Sequence, residues 1–364
     1  MKLKSFFWSV LCMLMVTVAF TACDGKEEIP GWDDNGTAVE LPYKRVFILN
    51  QGKQNANNGN ISFYAPNKDG VRNFVPDLYK VQNQKGLGDT AQDLIQYKNK
   101  LYAVVAGSKL LLRLNSAGVE EARLTFSDQD GTPRYVTEVG GKLYVSLWSG
   151  RVARIDPETL KIEAYATVNA NPEELVAVGN KLYVANSGYG AGKDVSVIDL
   201  TSFAKEKDIT VVTNPNNLLA VNNNVYLLSW GKWTNVLGEG YTFQHIQADG
   251  SVKQIAVASK FAAYGDVIYL IYSSWSAGLD RHIFSTYNTK TGKLTEGSFL
   301  KNAPESLLVS TIYGFGIDPQ TGEFYLSTSD YKNIGDVYRF KADGTFLEKF
   351  ECGGLNPSKF VFLP

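Results

Sequence analysis

The sequence has few histidines and cysteines, the residues that most often build metal centres and nucleophilic sites. Its 364 residues include two histidines, His245 and His282, which lie far apart in the chain. A zinc cluster or a Ser-His-Asp triad is difficult to build from two isolated histidines. Only Cys352 lies in the body of the chain, because Cys12 and Cys23 are near the N-terminus. We therefore expect no internal disulfide framework, no metal site, no cofactor and no catalytic residue.

The sequence also lacks an excess of charge of either sign. It contains 36 Lys and Arg against 37 Asp and Glu, a net charge of −1. Nucleic-acid binding needs an excess of basic residues, so we expect no nucleic-acid partner. After the first 25 residues no long run has helical periodicity, and no glycine-rich phosphate loop follows a strand and opens a helix. Aromatic residues are abundant instead, with 20 Tyr and 19 Phe.

The N-terminus has the features of an export signal. Lys2 and Lys4 precede an apolar stretch, residues 6–20, that is shorter than the roughly 20 residues of a transmembrane helix. Residues 1–22 are therefore predicted to be a signal peptide. The small residues before Cys23 resemble the lipobox of bacterial lipoproteins, which implies lipidation of Cys23 and an outer-membrane, cell-surface location.

The residues after Cys23 are charged and then irregular. Residues 24–28 resemble the acidic export signals of Bacteroidetes lipoproteins, and a plain solvated tether is the alternative interpretation. Gly, Pro, Asp and Asn follow without periodicity, so residues 23–42 are predicted to form a lipid-anchored flexible linker.

The body of the chain, residues 43–364, is built from repeats. A short apolar strand with a central aromatic residue recurs at Phe47, Tyr102, Tyr144, Tyr183, Tyr226, Tyr269 and Tyr325, at intervals of 39 to 56 residues. Seven copies near this period predict an all-β, seven-bladed β-propeller with four strands per blade. We label the strands of a blade A (inner) to D (outer), and the repeated aromatic lies in strand B.

The two ends of the repeat region complement each other. The first unit begins at strand B, near Arg45, whereas the last residues, 356–363, have the pattern of a strand A. We therefore expect the C-terminal strand to pair into the first blade and to close the ring without a free sheet edge.

The loops between strands B and C are long, variable and aromatic. They span residues 50–60, 187–193, 230–241, 274–281 and 329–335. In a propeller these loops share one face with the D–A loops, and loops on a rigid scaffold often carry function. This face is therefore the predicted binding face.

Aromatic and polar residues on that face form the predicted ligand site. The aromatic members, each just after a strand B, are Trp148, Tyr189, Trp230, Trp275 and Tyr331. Arg134, Asn186 and Asn214 are expected to hydrogen-bond the ligand. Exposed aromatics among amides suit a broad, partly polar ligand. The alternative for each tryptophan is a packing role at the end of its strand.

The strand and turn motifs resemble those of YncE-like propellers over residues 43–364. The segments 46–52 and 59–64, together with the lipobox, resemble the Bacteroidetes surface lipoproteins that include the BtuG-like cobalamin binders. This resemblance implies a surface protein that captures cobalamin or a related corrinoid for a TonB-dependent outer-membrane transporter.

Two other functions stay open at the level of sequence. Stacked aromatics also suit sugar rings, so a glycan-binding or protein-interaction propeller is the first alternative. A lactonase or lyase is the second. It usually needs a metal in the central channel, for which the inner strands offer only Asp93, Glu138 and Glu174 as plausible ligands.

Overall fold

The protein is a seven-bladed β-propeller. The computed structural model describes residues 31–66, 73–273 and 282–363. Within these ranges the chain forms seven antiparallel sheets of four strands each; six of them are built from four consecutive strands, and the seventh combines the first three strands with the last one. The predicted all-β fold is confirmed. The predicted signal peptide, Cys23 and Trp275 lie outside the described residues.

The sheets contain strands β1–β28. In chain order they are β1 (Arg45–Asn50), β2 (Asn60–Tyr64), β3 (Phe74–Val75), β4 (Ala91–Tyr97), β5 (Lys100–Val105), β6 (Leu110–Asn115), β7 (Glu120–Thr125), β8 (Pro133–Val139), β9 (Lys142–Leu147), β10 (Arg151–Ile155), β11 (Ile162–Thr167), β12 (Pro172–Val178), β13 (Lys181–Asn186), β14 (Asp194–Asp199), β15 (Ala204–Thr210), β16 (Pro215–Val221), β17 (Asn224–Ser229), β18 (Thr242–Ile246), β19 (Val252–Ala256), β20 (Lys260–Tyr264), β21 (Val267–Tyr272), β22 (Ile283–Asn288), β23 (Lys293–Glu296), β24 (Ile312–Ile317), β25 (Phe324–Thr328), β26 (Asp336–Phe340), β27 (Phe346–Glu351) and β28 (Pro357–Leu363).

Blade 1 contains both ends of the propeller. Its strand order is β28-β1-β2-β3, and blades 2 to 7 use β4–β7, β8–β11, β12–β15, β16–β19, β20–β23 and β24–β27. Strand β28 pairs antiparallel with β1, with Val361 opposite Phe47 and Phe362 opposite Val46. The predicted closure is therefore confirmed. Two short helices, α1 (Leu78–Asn83) and α2 (Glu305–Leu308), lie in D–A connections.

The repeated aromatic residue packs between blades, which explains its period. Tyr102 of blade 2 lies in one buried cluster with Val136 and Val145 of blade 3. Tyr325 of blade 7 packs in the same way with Ile48 of blade 1, and both are fully buried. Because each blade must fill the gap to the next, a large apolar residue is needed once per repeat.

The segment before the first strand packs on the propeller. Trp32, Val39 and Leu41 lie against the core shared by blades 1 and 2. Asp34 forms an ion pair of 2.6 Å with Arg45. Residues 32–42 thus have no strand or helix but are bound to the body, whereas the first part of the predicted linker lies outside the described residues. Among the residues that the structure describes, no helix is long and apolar enough to cross a membrane.

Candidate ligand-binding site

A cavity of about 500 Å³ lies at one end of the channel between the inner strands. Every blade contributes at least one residue of its strand A, and four B–C loops add others. The lining consists of Gln51, Gln92, Arg134, Tyr135, Glu174, Asn217, Leu228, Trp230, Tyr241, Ser259, Lys260, Phe261, Ser273, Thr311, Ile312, Tyr313, Phe315, Tyr331, Ser358 and Lys359. Its volume falls within the range of small-molecule sites, about 300–1,000 Å³.

The register of the sheets places one residue of each inner strand at the same level of the channel. Lys359, Asp93, Asn217, Lys260 and Gly314 each pair with the residue two positions after the repeated aromatic of strand B. Tyr135 and Glu174 occupy this level in the irregular starts of β8 and β12. We call these seven residues the channel ring. Its seven members include six different residue types, with lysine present twice, although the strands that carry them are equivalent.

Two acids of the channel ring bind the backbone of the following blade. Asp93 is 1% exposed, and its carboxylate accepts the N–H of Val136 at 2.9 Å. Glu174 likewise accepts the N–H of Leu218 at 3.2 Å. In both cases the irregular start of an inner strand frees an N–H from the sheet, and the neighbouring carboxylate satisfies it.

The two carboxylates differ in their side-chain partners, which are an ammonium group for Asp93 and an amide for Glu174. Asp93 forms an ion pair with Lys359, which comes from blade 1. Glu174 receives a hydrogen bond from the side-chain amide of Asn217 at 3.1 Å. Burial raises the pKa of Glu174 to about 7, with Lys359 lowering it and Asp93 raising it further. Glu174 therefore titrates near neutral pH inside the cavity.

The aromatic residues of the lining come mainly from blades 5 to 7, and we call this part the aromatic side. It consists of Trp230, Tyr241, Phe261, Tyr313, Phe315 and Tyr331. Tyr313 and Tyr331 meet edge to face at 5.7 Å between ring centres. Burial raises the pKa of Tyr241 to about 12 and that of Tyr313 above its usual range. These phenols are therefore neutral hydrogen-bond donors at physiological pH.

Most polar residues of the lining come from blades 1 to 5, and we call this part the polar side; Ser259, Lys260, Ser273 and Thr311 are polar as well but belong to the segments of blades 6 and 7. The polar side consists of Gln51, Gln92, Arg134, Glu174, Asn217, Ser358 and Lys359. The hydroxyl of Tyr313 donates to the side-chain oxygen of Gln51, so the two sides are hydrogen-bonded to each other. The cavity thus offers an aromatic surface facing amide and charged groups.

Arg134 joins the polar side to an aromatic pair outside the cavity lining. Its guanidinium donates to Glu173 at 2.9 Å and to Gln92 at 2.8 Å, and lies 4.4 Å from the centre of the Trp148 ring. The indole N–H of Trp148 donates to the same Glu173 at 3.1 Å. Tyr189, 81% exposed, meets Trp148 edge to face. Glu173 therefore fixes the side chains of both Arg134 and Trp148.

The structure places the predicted site residues in three groups. Arg134, Trp230 and Tyr331 line the cavity, and Trp148 and Tyr189 adjoin it through Arg134. The two asparagines have internal roles that differ from the ligand contacts expected for them, as their hydrogen bonds show. Trp275 belongs to residues that the structure does not describe.

The side chains of Asn186 and Asn214 face the protein interior. Asn186 is 1% exposed and donates to Asp194 at 2.7 Å and to Ser196 at 2.9 Å. Asn214 adopts a positive φ of 61°, and its backbone carbonyl accepts the N–H of Trp230 at 2.9 Å. Its side chain accepts a hydrogen bond from Asn216. Asn214 thus positions Trp230 through the backbone.

Sequence reasoning did not select several lining residues, notably Tyr241, Tyr313, Lys260, Lys359 and Gln51. Three of these, Lys260, Tyr313 and Lys359, lie near the start of a strand A, where a polar or aromatic residue stands among apolar ones. Gln51 follows a strand B, and Tyr241 precedes a strand C. The signal at the start of strand A becomes informative only once the register is known.

The histidines and the body cysteine lie outside the cavity lining. His245 stacks on Tyr226 between strands, and burial lowers its pKa. Cys352 is fully buried, and burial raises the pKa of its thiol to about 11. Within the described ranges no three His, Cys, Asp or Glu side chains are grouped in a way that could hold a metal ion.

A family described as "Domain of unknown function (DUF5074)" matches residues 44–363, which is nearly the whole propeller. A comparison with the curated proteins finds no match. The propeller itself is widely shared, since many solved structures are similar to it.

Three solved structures illustrate this similarity. A quinonprotein alcohol dehydrogenase-like protein from Bacteroides thetaiotaomicron is 16% identical with a TM-score of 0.61, over 87% of this chain and 78% of that one. Kuenenia stuttgartiensis hydrazine synthase is 15% identical with a TM-score of 0.57, over 70% and 77%. AztD from Citrobacter koseri is 13% identical with a TM-score of 0.52, over 87% and 82%. At such identities the likeness shows the fold alone.

Proposed function

From the premise that this chain belongs to the DUF5074 family, we propose that it binds a small organic ligand in its central cavity without transforming it. The leading ligand is cobalamin or a related corrinoid. The observation that carries the proposal is the division of the cavity into an aromatic side and a polar side. A ligand that fills it must present apolar surface on one side and hydrogen-bonding groups on the other.

A corrinoid has this combination of surfaces. Its macrocycle has apolar edges, which would pack on Trp230, Tyr313 and Tyr331. Its amide arms would exchange hydrogen bonds with Gln51, Gln92 and Asn217. The rigid ring of inner strands and the Arg134–Glu173 pair hold these groups in place, so little ordering would oppose binding.

We also propose where the protein acts. Cys23 carries a lipid that anchors the propeller in the outer membrane, with the body at the cell surface. The bound ligand passes from the propeller to a TonB-dependent transporter. The support for this part is the sequence of the first 28 residues and the resemblance to surface lipoproteins.

Calorimetry with cyanocobalamin tests the proposal on the full chain purified in detergent. The unmutated protein should bind. Trp230→Ala should bind roughly thirtyfold more weakly, because a buried aromatic anchor is typically worth about 2 kcal/mol or more. Trp233→Ala is the matched control, since Trp233 lies in the same loop, is 52% exposed and is not part of the lining.

The outcomes separate the ligand from the site. Absence of binding by the unmutated protein would eliminate the corrinoid, and the same protein would then be titrated with glycans. Binding that is equally tight in Trp230→Ala and Trp233→Ala would retain the ligand but place it outside this cavity.

A further inference from the structure

Lys260 and Lys359 occupy the same structural position in two blades. Lys359 pairs with Leu49 in blade 1, and Lys260 pairs with Ile271 in blade 6, each two residues after the repeated aromatic of strand B. Both side chains reach the cavity. The two amines are therefore equivalent in position, and only their surroundings differ.

The two amines differ in their counter-charge. Lys359 forms an ion pair with Asp93 of the next blade. Burial lowers the pKa of Lys359, but the carboxylates of Asp93 and Glu174 outweigh this effect and the net pKa is raised. The positive charge of Lys359 is thus balanced within the protein.

Lys260 has an aromatic neighbour where Lys359 has a carboxylate. Its ammonium lies 5.3 Å from the centre of the Tyr313 ring, on the next blade. Among the described residues no carboxylate lies within ion-pair distance of Lys260. Burial alone lowers the pKa of Lys260, to about 8. A cation–π contact offsets only part of the cost of burying an ammonium group.

The other cations of the cavity are already paired. Arg134 is bound to Glu173, and Lys359 to Asp93. The remaining titratable side chains of the lining are Tyr135, Glu174, Tyr241, Tyr313 and Tyr331. Lys260 is therefore the cationic group in the described lining whose charge a ligand could balance.

We propose that Lys260 binds an anionic group, a carboxylate or a phosphate, on the ligand of the central cavity. The anion lies at the edge of the aromatic side, where the ammonium supplies the charge and Tyr313 and Phe261 cover the adjoining apolar part. This inference rests on the proposed function insofar as it requires the cavity to hold a ligand. The inference goes beyond the proposed function by requiring a negative charge at one end of the ligand.

Corrinoids allow a direct test, because cobalamin carries a phosphodiester that cobinamide lacks. Lys260→Met should weaken cyanocobalamin binding by about thirtyfold or more, the usual cost of truncating one partner of a buried charge pair. The same change should weaken dicyanocobinamide binding far less. Lys260→Arg should keep most of the affinity for cyanocobalamin. Lys253→Met, on the outer strand β19, is the control and should change neither affinity.

A second measurement tests the anion site at Lys260 even if no corrinoid binds. Lysines of the full chain are ¹³C-methylated, and the Lys260 resonance is assigned by its loss in Lys260→Arg. Phenyl phosphate and benzoate should each raise the apparent pKa of Lys260 by about one unit or more, whereas phenol should not. Asp280→Asn is measured beside it, because Asp280 lies between β21 and β22 in the sequence and is outside the described residues.

The outcomes decide the inference separately from the corrinoid proposal. A response to phenyl phosphate or benzoate without corrinoid binding would support the anion site and reject the corrinoid. Equal losses for the two corrinoids in Lys260→Met would overturn the inference, and so would a Lys260 pKa that no anion changes. A Lys260 pKa that falls strongly in Asp280→Asn would also overturn it, since the counter-charge would then be internal.

Discussion

The ion pair between Lys359 and Asp93 should stabilise the closed ring, and loss of Lys359 should destabilise the protein more than loss of Asp93. Asp93 is 1% exposed, whereas the side chain of Lys359 is 32% exposed. Lys359 lies on β28, the strand that closes blade 1, and Asp93 lies on β4 of blade 2. Asp93 also accepts the N–H of Val136 in blade 3. Three consecutive blades are therefore connected through one carboxylate.

The expected losses of unfolding free energy differ because Asp93 is buried and Lys359 is partly exposed. Lys359→Met leaves the Asp93 carboxylate buried without a counter-charge and should cost about 3–5 kcal/mol of unfolding free energy. Asp93→Asn retains an acceptor for Val136 and leaves an ammonium that is partly hydrated, so it should cost only about 1–2 kcal/mol. The double variant buries no charge at this position. It should be more stable than Lys359→Met alone by at least about 1 kcal/mol.

Urea unfolding of the four proteins, followed by tryptophan fluorescence, measures this cycle. The surface pair Lys301–Asp343 provides the control, because its side chains are 61% and 59% exposed and 3.5 Å apart. Its coupling energy should stay below about 0.5 kcal/mol. The reasoning would be refuted if the double variant were no more stable than Lys359→Met, or if both pairs gave the same coupling energy.

Two further predictions concern the cysteines. Cys23→Ala should release the protein from the membrane fraction and abolish incorporation of labelled fatty acid; a variant that stays lipidated would contradict the lipobox interpretation. Cys352, which is fully buried and donates its thiol hydrogen to the carbonyl of Gly354 at 3.0 Å, should resist iodoacetamide at pH 8 until urea unfolds the protein. Labelling of Cys352 in the native protein, read by mass spectrometry, would show that this part of blade 7 opens.

The fold could be predicted because its determinants repeat. Phe47, Tyr102 and Tyr325 fill equivalent gaps between blades, so the same apolar pattern recurs wherever a blade must pack on the next. The closure could be predicted for the same reason, since the segment 356–363 has the strand A pattern that the first unit lacks. Packing constraints of this kind are visible in the order of residue types alone.

The site could be predicted only in part, because it depends on register. The loops after strand B lie on the face that has the cavity, and Arg134, Trp230 and Tyr331 line it; that a ligand binds there stays a prediction. The side-chain direction of Asn186 depends on the register of β13, and that of Asn214 depends on a positive φ. A shift of one residue at an irregular strand start turns a side chain from the channel towards the protein interior. The residue pattern of the sequence does not show such a shift.

The contrast between the repeated positions and the channel ring bears on function. If packing alone determined the ring, seven equivalent positions would hold similar residues, as the strand B aromatics do. They instead hold Lys, Asp, Tyr, Glu, Asn, Lys and Gly in blades 1 to 7. Contacts across blades hold Lys359, Asp93 and Glu174, whereas Lys260 has no ion pair among the described residues. The one ammonium group of the ring without an ion pair in the described residues therefore faces the cavity.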